Sequence, residues 1–117
     1  MQQRRHAKTN FLCSELVNVK FIDDSGQPRI VSANLEEICH GGMTLLVDST
    51  VPIGTAVSIE AQGHAFRGRI THTEHDDLLG WYLGVKLSAR SPWSPDLFVP
   101  THLLDVHRSA HSTPRAA

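Results

Sequence analysis

A succession of short apolar runs, each alternating every second residue and each cut by turn-forming residues, constrains this chain more than any other feature. Val17, Val19 and Phe21 alternate with Asn18 and Lys20 across Leu16–Ile22, the pattern of a strand with one buried face. Asp23-Asp24-Ser25-Gly26-Gln27-Pro28 then collects turn formers, and the β-branched run Arg29–Leu35 supplies an antiparallel return, so the two runs form a hairpin. Gly41-Gly42 interrupts the chain before Met43–Asp48, and Pro52-Ile53-Gly54-Thr55 separates that run from Ala56–Ala61. Gln62-Gly63-His64 is a tight connection into Ala65–His72, and a turn over Glu74–Asp77 leads into Leu79–Leu87. These runs predict six strands in meander order, spaced about ten residues apart. No stretch of the first ninety residues keeps apolar residues at helical spacing. The expected fold class is therefore all-β, a small closed antiparallel barrel.

Three segments divide the chain. Residues 1–10 form a flexible basic N-terminal arm, 11–105 the barrel domain, and 106–117 a tail without apolar period, expected to be disordered. Pro92 and Pro95 interrupt the strand series. Asp96–Asp105 is expected to hold a short helical turn whose apolar residues plug a barrel end, with Trp93 as a further packing plug.

Charge and cysteine use narrow the function. Eleven basic and twelve acidic residues give a formal net charge of −1, which leaves no broad electrostatic footprint for DNA or RNA; any anion site must be local. The start has no apolar stretch of signal-peptide length, and no later run reaches membrane-spanning length, so a cytoplasmic protein without membrane contact is expected. Cys13 and Cys39 lack CxxC spacing and are read as free thiols. His72-x-x-His75 lies on a strand and turn where the side chains diverge, and Cys39-His40 are neighbours pointing to opposite faces with no third orienting group. Neither a metal set nor a catalytic residue emerges, and the chain is read as a non-enzyme without a cofactor.

The most informative local segment is Glu37-Ile38-Cys39-His40-Gly41-Gly42-Met43, a polar turning loop between two apolar runs, where a ligand can meet exposed backbone. With the basic arm, it resembles the signature pair of the PilZ family of bacterial cyclic di-GMP receptors, Arg-x-x-x-Arg followed by Asp/Asn-x-Ser-x-x-Gly. Arg4 and Lys8 take the two basic positions, Glu37 the acidic one, Cys39 the serine position and Gly42 the closing glycine. Arg5 either pairs with Thr9 in a shifted register or adds a phosphate contact from the same arm. The run Gly80–Leu87 is similar to the family's late aromatic-x-x-Gly-hydrophobic strand, so the resemblance spans roughly residues 4–105.

The resemblance implies a PilZ-like split barrel and a ligand, cyclic di-GMP, bound by Arg4, Arg5, Lys8, Glu37, Cys39 and Gly42. Guanidinium groups stack on guanine, grip its O6/N7 edge and neutralise phosphate, and Lys8 keeps the charge without the planar fork. Glu37 keeps a carboxylate on a longer stem, and Cys39 replaces a hydroxyl with a weak S–H donor. Two functions follow as expectations: a receptor whose arm closes over the dinucleotide and signals to a protein effector, or an adaptor that works through protein contacts alone.

Overall fold

The computed structural model describes residues 10–105; the arm positions 1–9, which include Arg4, Arg5 and Lys8, and the tail 106–117 lie outside the described residues. Seven strands follow in order: β1 Phe11–Ile22, β2 Pro28–Cys39, β3 Gly42–Val47, β4 Ala56–Ala61, β5 His64–Asp76, β6 Gly80–Leu87 and the short β7 Leu104–Asp105. The sheet runs β2-β3-β6-β5-β4-β1-β7, and the further pairing of β1 with β2 closes the first six strands into an antiparallel barrel. Closure pairs both edges of the sheet and removes most of the unpaired backbone that an open sheet exposes.

Alternation drives the burial. Val17 and Val19 of β1, Ala33 and Leu35 of β2, Met43, Leu45 and Val47 of β3, Val57 and Ile59 of β4, and Leu83, Val85 and Leu87 of β6 all point inward. The buried core of the described residues holds no polar or charged side chain. Each large aliphatic side chain removed from water in this way contributes about 1.5–3 kcal/mol before the entropy of ordering is set against it.

Strands β1, β2 and β5 are longer than their apolar alternation predicts, and bulges explain why. Register shifts fall between Leu12 and Glu15 on β1, between Leu35 and Glu37 on β2, and between Ile70 and His72 on β5. An inserted residue moves the inward set by one position. On β2 the core-facing series therefore passes from Leu35 to Ile38, which is fully buried. This corrects the reading of Glu37–Met43 as one loop: Glu37, Ile38 and Cys39 are strand, and only His40 and Gly41 turn.

Different devices close the two ends. The β3–β4 connection crosses one mouth, with Val51 buried beneath it and Gly54 N–H donating to the Ile70 carbonyl at 2.7 Å. At the other mouth Trp93, Phe98 and Pro100 are buried, and Trp93 meets Phe11 edge-on at 5.6 Å between ring centroids. The plug is apolar as expected, but the described residues contain no helix. Leu97 N–H bonds the Ser94 carbonyl in a single turn, and β7 then pairs with Phe11 and Leu12. Pro92, Pro95 and Pro100 are too closely spaced for a continuous helical hydrogen-bond ladder. No helix among the described residues is long and apolar enough to cross a membrane.

Candidate functional site

Strand register assembles the outer wall around the β2–β3 turn. Glu37 of β2 pairs with Thr44 of β3, Thr44 with Gly84 of β6, and Gly84 with His72 of β5. One step along, Cys39 pairs with Gly42, Gly42 with Lys86, and Lys86 with Arg69. The β2, β3 and β6 members of these two rows border a groove of about 780 Å³ that also takes in Asn10 and Thr71. Its size is ordinary for a small-molecule site. The bulges at Glu36 and Thr71 flank it on opposite sides, and bulges commonly re-aim side chains beside functional sites.

Of the residues singled out in the sequence, Glu37, Cys39 and Gly42 come together here. Glu37 and Cys39 are half-buried on the outer face, two positions apart on one strand. The arm residues fall outside the described range, yet their attachment point does not: Asn10 itself borders the groove. A fully extended chain covers at most about 3.3–3.6 Å per residue, so Lys8 sits within about 7 Å of contour from Asn10 and Arg4 within about 22 Å.

The double glycine has a different reason from the one its sequence implies. Neither Gly41 nor Gly42 is in the left-handed region of backbone space. Gly42 is favoured by close approach, because a Cβ there would stand 3.0 Å from the Val85 carbonyl oxygen, a tight contact that the β6 backbone would have to ease. The turn is held from the side of the C-terminal segment: the His40 carbonyl accepts from Trp93 N–H at 3.0 Å and the Gly41 carbonyl from Leu87 N–H at 2.9 Å. By contrast, the Gln62-Gly63 turn does use positive φ, 50° and 81°, the geometry that matches the twist of a two-residue hairpin.

The groove is electrically divided. Its β2 wall carries Glu37 beside Glu36, and its β6 wall carries the exposed Lys86 with Arg69 next to it. The acidic side is felt by Cys13, a half-buried free thiol whose S–H donates to the Leu35 carbonyl at 3.5 Å. Burial pushes that thiol up to about 11, and the carboxylates of Glu15, Glu36 and Glu37 add to the shift by disfavouring a further negative charge. His72 and His75 serve separate partners, Glu74 at 3.4 Å and Asp77 at 3.5 Å, and no group of three or more potential metal ligands occurs among the described residues.

Sequence reasoning missed Lys86, Thr44, Thr71, Gly84 and Asn10. None of them lies in a recognisable motif; they reach the groove through pairing across strands. A basic residue paired directly with Gly42 is visible only once β6 is placed beside β3. Comparisons of the chain with family models, curated proteins and solved structures give no match.

Proposed function

We propose that this protein is a non-enzymatic cyclic di-GMP receptor with a PilZ-like split barrel, in which the basic N-terminal arm closes over the dinucleotide and the ordered arm signals to a protein effector in the cytoplasm. One observation carries the reading. The chain leaves the barrel at Asn10, on the border of the groove that holds Glu37, Cys39 and Gly42 on one side and Lys86 on the other. Guanine offers N–H donors that a carboxylate such as Glu37 accepts, whereas the ligand's phosphates need cations. Lys86 supplies one, and Arg4, Arg5 and Lys8 supply the rest from a tether long enough to reach them. Ordering the arm costs conformational entropy, so closure requires the charge and ring faces that the ligand brings.

Calorimetric titration with cyclic di-GMP tests the reading. Binding should weaken with added salt, and Arg4→Ala and Arg5→Ala should each lower affinity by about tenfold or more, the effect of losing a charge-assisted contact. Equal heats for wild type and both variants would defeat the arm closure. Absence of binding at high ligand concentration favours the second reading, an adaptor acting through protein contacts alone, which the Glu37 carboxylate on the groove wall supports by opposing an anion.

A further inference from the structure

A second groove of about 880 Å³ lies on the outer wall where β1, β4, β5 and β6 meet the β1–β2 hairpin. Five cationic residues border it, Lys20, Arg29, Arg67, Arg69 and Lys86, and no carboxylate does. Lys20 is paired with Glu60 at 2.9 Å and Arg29 with Asp23 at 2.8 Å, but Arg67, Arg69 and Lys86 make no ion pair with the described residues. Beside these cations Ile22 and Ile30 are exposed, at 60% and 63% of their surface. The groove thus presents free positive charge next to apolar surface. The one aromatic ring on its border, Phe21, is half-buried and packed against the core rather than presented as a platform for a nucleic-acid base.

The complement of that surface is present on the same molecule. The β5–β6 hairpin ends in Glu74-His75-Asp76-Asp77-Leu78-Leu79, where Leu78 is 94% exposed and Leu79 55%. The tip is a braced knob: Asp76 accepts the N–H groups of Leu78 and Leu79, both at 2.9 Å, and His75 packs on Trp81 at 4.7 Å between ring centroids. Asp77 and Glu74 are almost bare, at 98% and 71% side-chain exposure. A fixed leucine held in water among carboxylates matches a groove of arginines edged by isoleucines.

One molecule cannot make this contact with itself. Asp77 follows Arg69 by eight residues, almost all within the extended β5, which places them about 25 Å apart at 3.3 Å per residue. The chain's own ends are poor occupants too, because Arg4, Arg5 and Lys8 at one end and Arg108 and Arg115 at the other bring like charge. We propose that the β5–β6 hairpin tip of one copy docks in the cationic groove of a second copy, with Asp77 and Glu74 facing Arg67, Arg69 and Lys86, and Leu78 on Ile22 and Ile30. The contact is head-to-tail, so it continues from copy to copy unless it closes into a ring. A single hairpin tip buries a small area, which makes the association weak, reversible and sensitive to salt.

Sedimentation of the full chain without ligand tests this. At low ionic strength the weight-average mass of wild type should climb above 12.9 kDa with concentration and return to it in high salt. The groove variant Arg67→Glu with Arg69→Glu, and the knob variant Asp77→Lys with Leu78→Lys, should each stay at the monomer mass. Mixed together they should associate again, because each then meets a surface of opposite charge; this recovery also shows that both variants are folded. A wild type that remains monomeric at all concentrations, a variant that associates as wild type does, or a mixture that fails to associate would overturn the proposal.

Discussion

The two grooves share Lys86 and Thr71 and are otherwise opposites. The one over Gly42 sets a carboxylate wall against an ammonium, receives the root of the N-terminal arm, and is tied by backbone hydrogen bonds to the Trp93 plug. The one over Arg67 gathers cations from four strands, has no acidic member, and runs along the outer wall up to the β1–β2 hairpin. A motif contiguous in sequence marks the first, whereas only cross-strand register creates the second. The contrast shows how the same barrel wall acquires different chemistry according to which strands meet and in what phase.

If the first groove depends on the plug and the second does not, Trp93→Ala should separate them. Removing a fully buried Trp costs about 3–5 kcal/mol, and here it also removes the indole N–H bond to the Phe98 carbonyl at 3.1 Å. Thermal unfolding should show a fall in midpoint, and amide hydrogen exchange should rise more over His40–Met43 than over Arg67–Arg69. Equal gains in exchange would mean that the plug supports the whole barrel evenly.

A smaller contrast lies in the wall glycines. A Cβ on Gly68, beneath the cationic groove, would stand 2.6 Å from the Lys86 carbonyl oxygen and 2.8 Å from a Val85 methyl, while the tightest contact at Gly42 is 3.0 Å. Gly68→Ala should therefore destabilise by about 1–3 kcal/mol and Gly42→Ala by less, as overpacking costs go. Denaturant titration of both variants checks the order, and a larger loss for Gly42→Ala would reverse the picture of which wall is tighter.

The smallest expected effect is local to the acidic side of the first groove. Because the Cys13 thiol is raised from an ordinary value of 9.0 to about 11, the folded state favours its protonated form; that contribution is complete below about pH 9 and is lost as pH rises towards 11. In a Cys39→Ala background, alkylation of Cys13 at pH 9 should be at least about tenfold slower in the folded protein than in denaturant, since the thiolate is the reacting form. Equal rates would remove the argument that burial, with the carboxylates of Glu15, Glu36 and Glu37 adding to it, holds this thiol protonated.

Much of the barrel is legible from residue order alone. The runs at 43–48, 56–61 and 79–87 alternate without interruption and become β3, β4 and β6 within a residue or so of their expected limits. Strands β1, β2 and β5 are under-read at the ends where a bulge changes the phase, because Phe11–Glu15, Glu36–Cys39 and Thr73–Asp76 do not continue the alternation of their neighbours. Sequence patterning assigns faces only within an unbroken phase, and a bulge leaves no compositional mark. The site divides the same way. Glu37, Cys39 and Gly42 stand in one short segment and are found by inspection, whereas Lys86 is forty-odd positions away and joins them through one antiparallel pairing. The helical turn expected in the last segment is not found among the described residues, where the spacing of Pro92, Pro95 and Pro100 works against a helical ladder despite the apolar content of Leu97, Phe98, Leu103 and Leu104.

Lys86 stands on the ridge between the grooves, and its position has a thermodynamic consequence. A single ammonium drawn towards an anion over Gly42 is withdrawn from any carboxylate approaching over Arg69, so filling either side weakens the other. Under the two proposals made above, linkage makes that antagonism equal in both directions: whatever factor a bound dinucleotide would take from self-association, self-association would take from the dinucleotide. One side chain bordering both grooves would thereby let the barrel exchange one company for another with no change in its sheet.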